Sequence, residues 1–474
     1  MVEVISKRLI AAGLSISILS ACTVGPKYHT PQVDVPADYR GLAPGSTPAT
    51  PDSLADLKWF DVFKDEKLQD LIRTALVRNH DLRDALVRVD AARANLGITR
   101  SEQFPTFTAS AGITTFRTSA NGQFALPSAL RQDRTFGSVL LNLLSFEVDI
   151  WGRLRKATEA ARAQLLASEE NRKAVITTLV SDVATAYFNL LELDAELEIA
   201  ERTLQTRRES LQLTRDRWQG GVATMLDVRQ AEQLIHTANQ TIIDTRRLIE
   251  RTENQISLLV GRNPGEIVRG VKLTEQDQPP AVPSGLPSSL LERRPDIRGA
   301  EQNLIAATAN IGVAKAAYFP QITLTGFAGF QSASLVDLFR GSGSLWSFAP
   351  QVTQPIFTAG RIKSTVRLTE AEQQFALNQY ERAIQTAFRE VSDALVEYRR
   401  VKEFRNEQEA LVVTLRDRAE LANARYLGGV DTQLNALDAD RDLFSAELDL
   451  SQTRRNELIA IVQLYKALGG GWQA

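Results

Sequence analysis

Few residues in this chain could do covalent or metal chemistry. Its 474 residues include one cysteine, Cys22, and three histidines far apart in sequence, His29, His80 and His236. One cysteine excludes a disulfide framework and a cysteine-based metal centre, and the scattered histidines form no ligand cluster. No histidine is grouped with carboxylates, and there is neither a nucleophile elbow nor a phosphate-binding glycine loop. The chain is therefore expected to be no enzyme, to hold no metal and to need no cofactor beyond a group attached covalently to Cys22. Lys and Arg total 55 against 57 Asp and Glu, a net charge of −2, which gives no electrostatic footprint for nucleic acid. What remains is acylation of a single thiol.

The surroundings of Cys22 fit that chemistry. Lys7 and Arg8 precede an apolar stretch from Leu9 to Ser20, too short to span a bilayer but suited to a signal-peptide core. It ends in Leu19-Ser20-Ala21-Cys22, which resembles the bacterial lipoprotein lipobox, where the cysteine becomes the acylated first residue. Residues 1–21 are thus expected to be a lipoprotein signal peptide. Several acyl chains on Cys22 would anchor it stably in lipid, since one chain alone holds only marginally. Thr23 follows, where an aspartate would resemble an inner-membrane retention signal, and this favours the outer membrane. The stretch rich in Pro, Gly, Ser and Thr that follows makes residues 22–60 a lipidated tether.

The elements beyond the tether come twice. The run from Asp81-Leu82-Arg83 to Phe104-Pro105 returns from Asp296-Ile297-Arg298 to Phe319-Pro320, 215 positions on. Gly152-Arg153 returns as Gly360-Arg361, and Arg217-Trp218-Gln219-Gly220-Gly221-Val222 as Arg425-Tyr426-Leu427-Gly428-Gly429-Val430, both 208 positions on. The first copy is therefore longer between Phe104 and Gly152, which puts an exposed loop there. The copies span residues 61–263 and 290–474, joined by a Pro-rich equatorial linker at 264–289.

Within each copy the periodicity changes. Phe107, Ala109, Ala111 and Ile113 alternate with small polar residues, as do Ile322, Leu324, Gly326, Ala328 and Phe330 in the second copy. Return strands are expected at Leu144–Ile150 and Trp346–Val352. Strands of about ten residues with one apolar face suit a transmembrane barrel with a wet lumen. The rest reads as helix. From Arg153 to Trp218 there is no Pro or Gly, and Val175, Leu179, Val183, Ala186, Leu190 and Leu193 recur at steps of three and four, a coiled-coil pattern. At about 1.5 Å per residue this makes a rod of roughly 100 Å. Return helices are expected at Thr224–Val260 and Thr432–Leu468, and one helix over Lys67–Gln103.

Two hairpins supply four strands, and four strands cannot close a barrel or leave an edge in lipid. At least two copies of the chain must share one barrel, and the arithmetic leaves dimer and trimer open. The fold class is therefore an α+β membrane protein in which a long α-helical coiled-coil barrel continues a transmembrane β-barrel.

Several motifs then resemble the TolC-like outer-membrane efflux family, in its lipoprotein branch. They are Cys22-Thr23-Val24-Gly25-Pro26, Gly285-Leu286-Pro287-Ser288, Leu291-Glu292-Arg293-Arg294-Pro295-Asp296-Ile297-Arg298 and Tyr465-Lys466-Ala467-Leu468-Gly469-Gly470-Gly471-Trp472. The resemblance covers essentially the whole mature chain. It implies a homotrimer with twelve strands, anchored in outer-membrane lipid and conducting small molecules passively. A periplasmic adaptor (membrane fusion) protein and an inner-membrane RND-type pump would dock below. It also implies that Leu434 and Asp438, four apart on one helical face, point inward at an aperture. Arg425, Tyr426, Arg441 and Asp227 would link neighbouring helix pairs in the closed state. Trp218 stands where the second copy has Tyr426, so a hydroxyl-mediated link is available only from the second. Thr224-x-x-Asp227 equally fits a capping box. The turns Gly220, Gly221, Thr224 and Gly428, Gly429, Thr432 would form the adaptor-docking surface. The rival classes are a type I protein-secretion duct, for which the lipobox is unusual, and a structural coiled-coil lipoprotein, for which the alternating strands have no use.

Overall fold

The computed structural model describes residues 23–36, 39–40, 54–119, 133–276 and 287–472. The signal peptide, Cys22, part of the tether and residues 277–286 of the Pro-rich linker lie outside the described residues. The elements are α1 (Glu66–Arg78), α2 (His80–Ser101), β1 (Phe107–Arg117), β2 (Asp133–Glu147), α3 (Arg153–Gln219) and α4 (Met225–Leu259). The second copy supplies α5 (Pro295–Ala316), β3 (Gln321–Ser332), β4 (Ser344–Thr353), α6 (Arg361–Leu427) and α7 (Gln433–Ala467). The long helices α3 and α6 each run for 67 residues, and the returning helices α4 and α7 for 35.

Two expectations need correction. The helix expected over Lys67–Gln103 is broken at Asn79, whose side chain accepts the Leu82 amide at 3.0 Å and donates to the Leu259 carbonyl at 2.9 Å. The amide side chain competes with the helical backbone and starts a fresh helix instead. The first return strand covers Asp133–Glu147 rather than 144–150. A register shift between Leu143 and Phe146 explains the misreading: the apolar positions change phase there, from odd numbers to even.

Contacts divide the chain into two units, and each draws on both copies. One holds Asp90–Ala167, Ala300–Gln379 and the N-terminal residues to Pro31; the other holds Gln32–Val89, Ser168–Gly299 and Tyr380–Ala474.

The first unit carries one antiparallel sheet in the order β1-β2-β3-β4. Its register brings Phe107, Leu143, Gly326 and Phe348 into one row across the strands, and Ala109, Leu141, Ala328 and Trp346 into the next. The apolar positions of all four strands therefore share a face, and Trp346 is 78% exposed on it. The opposite face holds Thr108, Ser110 and Asn142, where the Asn142 amide donates to Ser110 Oγ at 3.0 Å. Among the described residues β1 and β4 each pair on one side only. Residues from Thr23 onward lie against this unit: the Val24 amide donates to the Trp151 carbonyl at 3.0 Å and the Tyr28 hydroxyl to Glu301 at 2.8 Å. A Cβ on Gly25 would stand 2.4 Å from the Gly312 Cα, so backbone meets backbone there.

In the second unit the duplication is visible contact by contact. Arg246 pairs with Glu201 at 2.7 Å, and the residues 208 positions on, Arg454 and Glu409, pair at 3.1 Å. Arg215–Glu232 in the first copy becomes Asn423–Asp440 in the second. α3 packs on α4 and α7 together through Ala200, Leu204, Ala238, Ile242 and Phe444. A window within α3 is apolar enough to match a membrane span, yet 61% of it is buried inside the fold, which makes it core.

Asp65 ties three segments of this unit. It caps α1 through the Lys67 and Leu68 amides and accepts hydrogen bonds from the Tyr187 hydroxyl, the Val271 amide and the Gln276 side chain. Burial pushes its pKa up, but the bonds from Gln276, Val271, Tyr187 and Leu68 outweigh this and hold it below the usual aspartate value. Asp65→Ala is expected to cost about 3 kcal/mol, because buried donors lose their acceptor. The stability contributed by a depressed carboxylate is present above its ordinary pKa and lost as pH falls through the lowered one. The gap in melting temperature between parent and variant should therefore be full at neutral pH and narrow in acid, as read by circular dichroism.

Candidate functional site: the paired helix turns

Each long helix of the second unit ends in the same turn. Gly221 and Gly429 have φ of +74° and +73°, the left-handed conformation that closes a helix. The Val222 amide donates to the Arg217 carbonyl at 2.8 Å and the Gly221 amide to Trp218 at 3.0 Å. The same pair recurs as Val430 to Arg425 and Gly429 to Tyr426, both at 3.1 Å. Apolar side chains stand exposed on these turns: Val222, Leu226, Leu427, Val430 and Leu434.

The starts of the returning helices differ. Thr224 and Asp227 make a reciprocal capping box: the Thr224 amide donates to Asp227 at 2.7 Å, and the Asp227 amide to Thr224 Oγ1 at 3.3 Å. Asp227 therefore caps α4. Thr432 has no side-chain cap; Asp431 accepts the Thr432 amide at 2.8 Å and the Asn435 amide at 2.7 Å instead. Arg425 pairs with this Asp431 at 3.0 Å, and together with Asn435 holds its pKa below the usual range.

The residues expected at the aperture sit on the first turns of α7. Leu434 is 52% exposed. Asp438 pairs with Arg441 at 3.2 Å, and Arg441 also reaches Asp442 at 3.2 Å. Asp442 is held low, first by the Arg418 hydrogen bond and then by Arg441. A buried Arg207 and a half-buried Asp440 stand behind them: desolvation pushes Asp440 up and Arg207 down, while Arg207 lies over the Phe444 ring at 4.8 Å.

Sequence reasoning missed the residue that links the two turns. The Arg217 guanidinium lies 4.4 Å from the Tyr426 ring centre and donates to the Tyr426 carbonyl at 3.4 Å and to the Leu427 carbonyl at 3.2 Å. A cation at a helix C-terminus and over an aromatic face is favourable on both counts. Tyr426 takes part in this contact through its ring and carbonyl. The signal was available, since Arg217 is the first-copy counterpart of Arg425.

Higher on the α3–α7 seam, Gln452 donates to Glu196 at 3.0 Å and Arg455 stands 3.4 Å from the buried Glu192. Burial, then the neighbouring Glu196 carboxyl, raises Glu192 to about 8, and Arg455 offsets this only in part.

Among the described residues no group of His, Cys, Asp and Glu could hold a metal. The parts are a sheet with one apolar face, long paired helices, and charged turns at their ends. These define a channel of the TolC-like class. Residues 71–262 and 286–470 match the outer membrane efflux protein family. The toluene efflux pump outer membrane protein TtgC of Pseudomonas putida is 39% identical over 469 residues, covering 98% of this chain and 96% of the relative. The cation efflux system protein CusC of Escherichia coli is 35% identical over 460 residues, covering 96% and 97%. The open-state outer membrane channel MtrE of Neisseria gonorrhoeae superposes with a TM-score of 0.85 at 33% identity, covering 95% of this chain and 99% of that one. The outer-membrane channel OprN superposes at 0.88 with 30% identity, covering 96% and 100%. The chain belongs to the outer membrane efflux protein family, whose members are channels rather than enzymes.

Glu192 supplies a pH test of the seam. A carboxyl whose pKa is raised in the fold leaves stability intact below its ordinary value of 4.5 and lowers it progressively as pH rises toward 8. Glu192→Gln should therefore melt higher than the parent at pH 8 and no higher at pH 4.5, as scanning calorimetry can read.

Proposed function

We propose that three copies of this chain form the outer-membrane exit duct of an efflux pump, through which small molecules pass without chemical change. The four-stranded sheet carries this reading. Its face is apolar across every strand, and among the described residues nothing pairs with the outer sides of β1 and β4. Hydrocarbon tolerates no open edge. If β4 of one copy pairs with β1 of the next, three copies give twelve strands, within the usual range for bacterial barrels. A heat-sensitive trimer band on gels is the expected signature.

The partners follow from the same reading: a periplasmic adaptor seated on the turns at Gly220–Thr224 and Gly428–Thr432, and an RND-type inner-membrane pump beneath it. The exposed Val222, Leu226 and Val430 offer the adaptor an apolar contact. Relatives are named for toluene and for cation efflux. One architecture thus serves unlike cargoes, which supports a permissive duct and a pump that selects.

The aperture is formed by Leu434 and Asp438, with Arg441 holding Asp438 in place. Asp438→Ala and Arg441→Ala should each raise single-channel conductance severalfold in planar bilayers, because a like-charged ring loses its order. Unchanged conductance in both variants would refute the gate.

Cys22 carries the lipid. The chain from Thr23 to Tyr28 lies against Trp151, Gly312 and Glu301, beside the foot of the sheet, which is where a membrane anchor is useful. Palmitate labelling is expected to disappear in Cys22→Ser.

A further inference from the structure

The internal repeat turns one contact inside the chain into a forecast of a contact between chains. Within the chain, the first-copy turn grips the second-copy turn through Arg217, set over the Tyr426 ring and on the Tyr426 and Leu427 carbonyls. The structure repeats its helix-pair contacts at the same offset of 208 residues, as Arg246–Glu201 and Arg454–Glu409 attest. In a trimer, six turns would alternate around the axis, each second-copy turn followed by the first-copy turn of the next chain. Advancing Arg217 by the offset gives Arg425, and moving Tyr426 back by it gives Trp218. Trp218 is 41% exposed, and among the described residues its ring stacks on no aromatic and carries no cation.

The other ties of the seam do not carry over. Thr214–Gln433, joined at 2.8 Å within the chain, maps onto Ala422 and Met225; Arg202–Glu447 maps onto Ala410 and Asn239. Of these three links only the arginine on an aromatic survives the mapping. It also meets a competitor with no first-copy counterpart: Asp431 stands where the first copy has Ala223, and it holds Arg425 at 3.0 Å.

We propose that Arg425 is a two-position latch between neighbouring chains, closing on Trp218 of the next copy and withdrawn by Asp431 of its own. The contact within the chain has no such competitor and stays shut, while the contact between chains can be released. This rests on the trimer proposed above and names what regulates its aperture. The usual expectation, that removing an acid from a closed tip loosens it, is reversed at Asp431. Loss of that carboxylate frees Arg425 to hold the neighbour.

Two measurements test the latch on full-length trimer in detergent and in planar bilayers. Arg425→Cys/Trp218→Cys should oxidise to covalent dimers and trimers on non-reducing gels. Arg217→Cys/Tyr426→Cys should cross-link within one chain, with the single variants as controls for Cys22. Asp431→Ala should lower conductance, and Trp218→Ala should raise it. An intact trimer without interchain cross-links, or a rise in conductance for Asp431→Ala, overturns the latch and leaves the trimer standing. Absence of any trimer from the parent protein overturns the trimer itself.

Discussion

A peptide group that leaves water must find a hydrogen-bond partner, and hydrocarbon offers none. The sheet here satisfies that demand along its two inner strands and, among the described residues, leaves it unmet along the outer sides of β1 and β4. The shape of the problem determines the shape of the answer. A strand of ten to fifteen residues has the reach to cross a bilayer, and its alternating side chains present one face to lipid and the other to water. In the proposed trimer the missing hydrogen-bond partners come from further copies of the same edges. Duplication of the chain halves the number of copies needed, since each contributes two hairpins.

The helical part solves a different problem, that of holding long rods side by side. Apolar contacts are spread thinly, in small clusters such as Leu211, Val228 and Ala231 or Val412, Ala446 and Leu450. Charged groups therefore fall inside the packing. Glu192 and Glu457 are each 2% exposed, and each has an arginine from a neighbouring helix beside it. These pairs fix which helix lies against which, and do so at defined heights along otherwise featureless rods.

Much of this was legible in the residues. The repeat, the long helices and their glycine turns could be read because helix periodicity and left-handed glycine are local properties. The return strand of the first copy was misplaced because a bulge changes the phase of its side chains, and alternation alone cannot reveal a skipped residue. The break at Asn79 was hidden because an asparagine within a helical pattern resembles any other polar residue until its amide finds the Leu259 carbonyl, 180 positions away. At the turns, Arg425 and Asp438 could be singled out, whereas Arg217 and Asp431 matter through partners that only the folded chain brings near.

The bulge between Leu143 and Phe146 bears on how such a protein can change over generations. Below it Phe146 shares a face with Leu324, and above it Leu143 shares the same face with Gly326. The extra residue is what lets even and odd positions serve one surface. Losing a single codon there would invert half a strand, setting Phe146 toward water and Glu147 toward lipid. The loop between β1 and β2 is already four residues longer than the one between β3 and β4, and such differences are tolerated. The gene is thus free to drift in length at one end of the hairpin and is locked to its reading of face at the other.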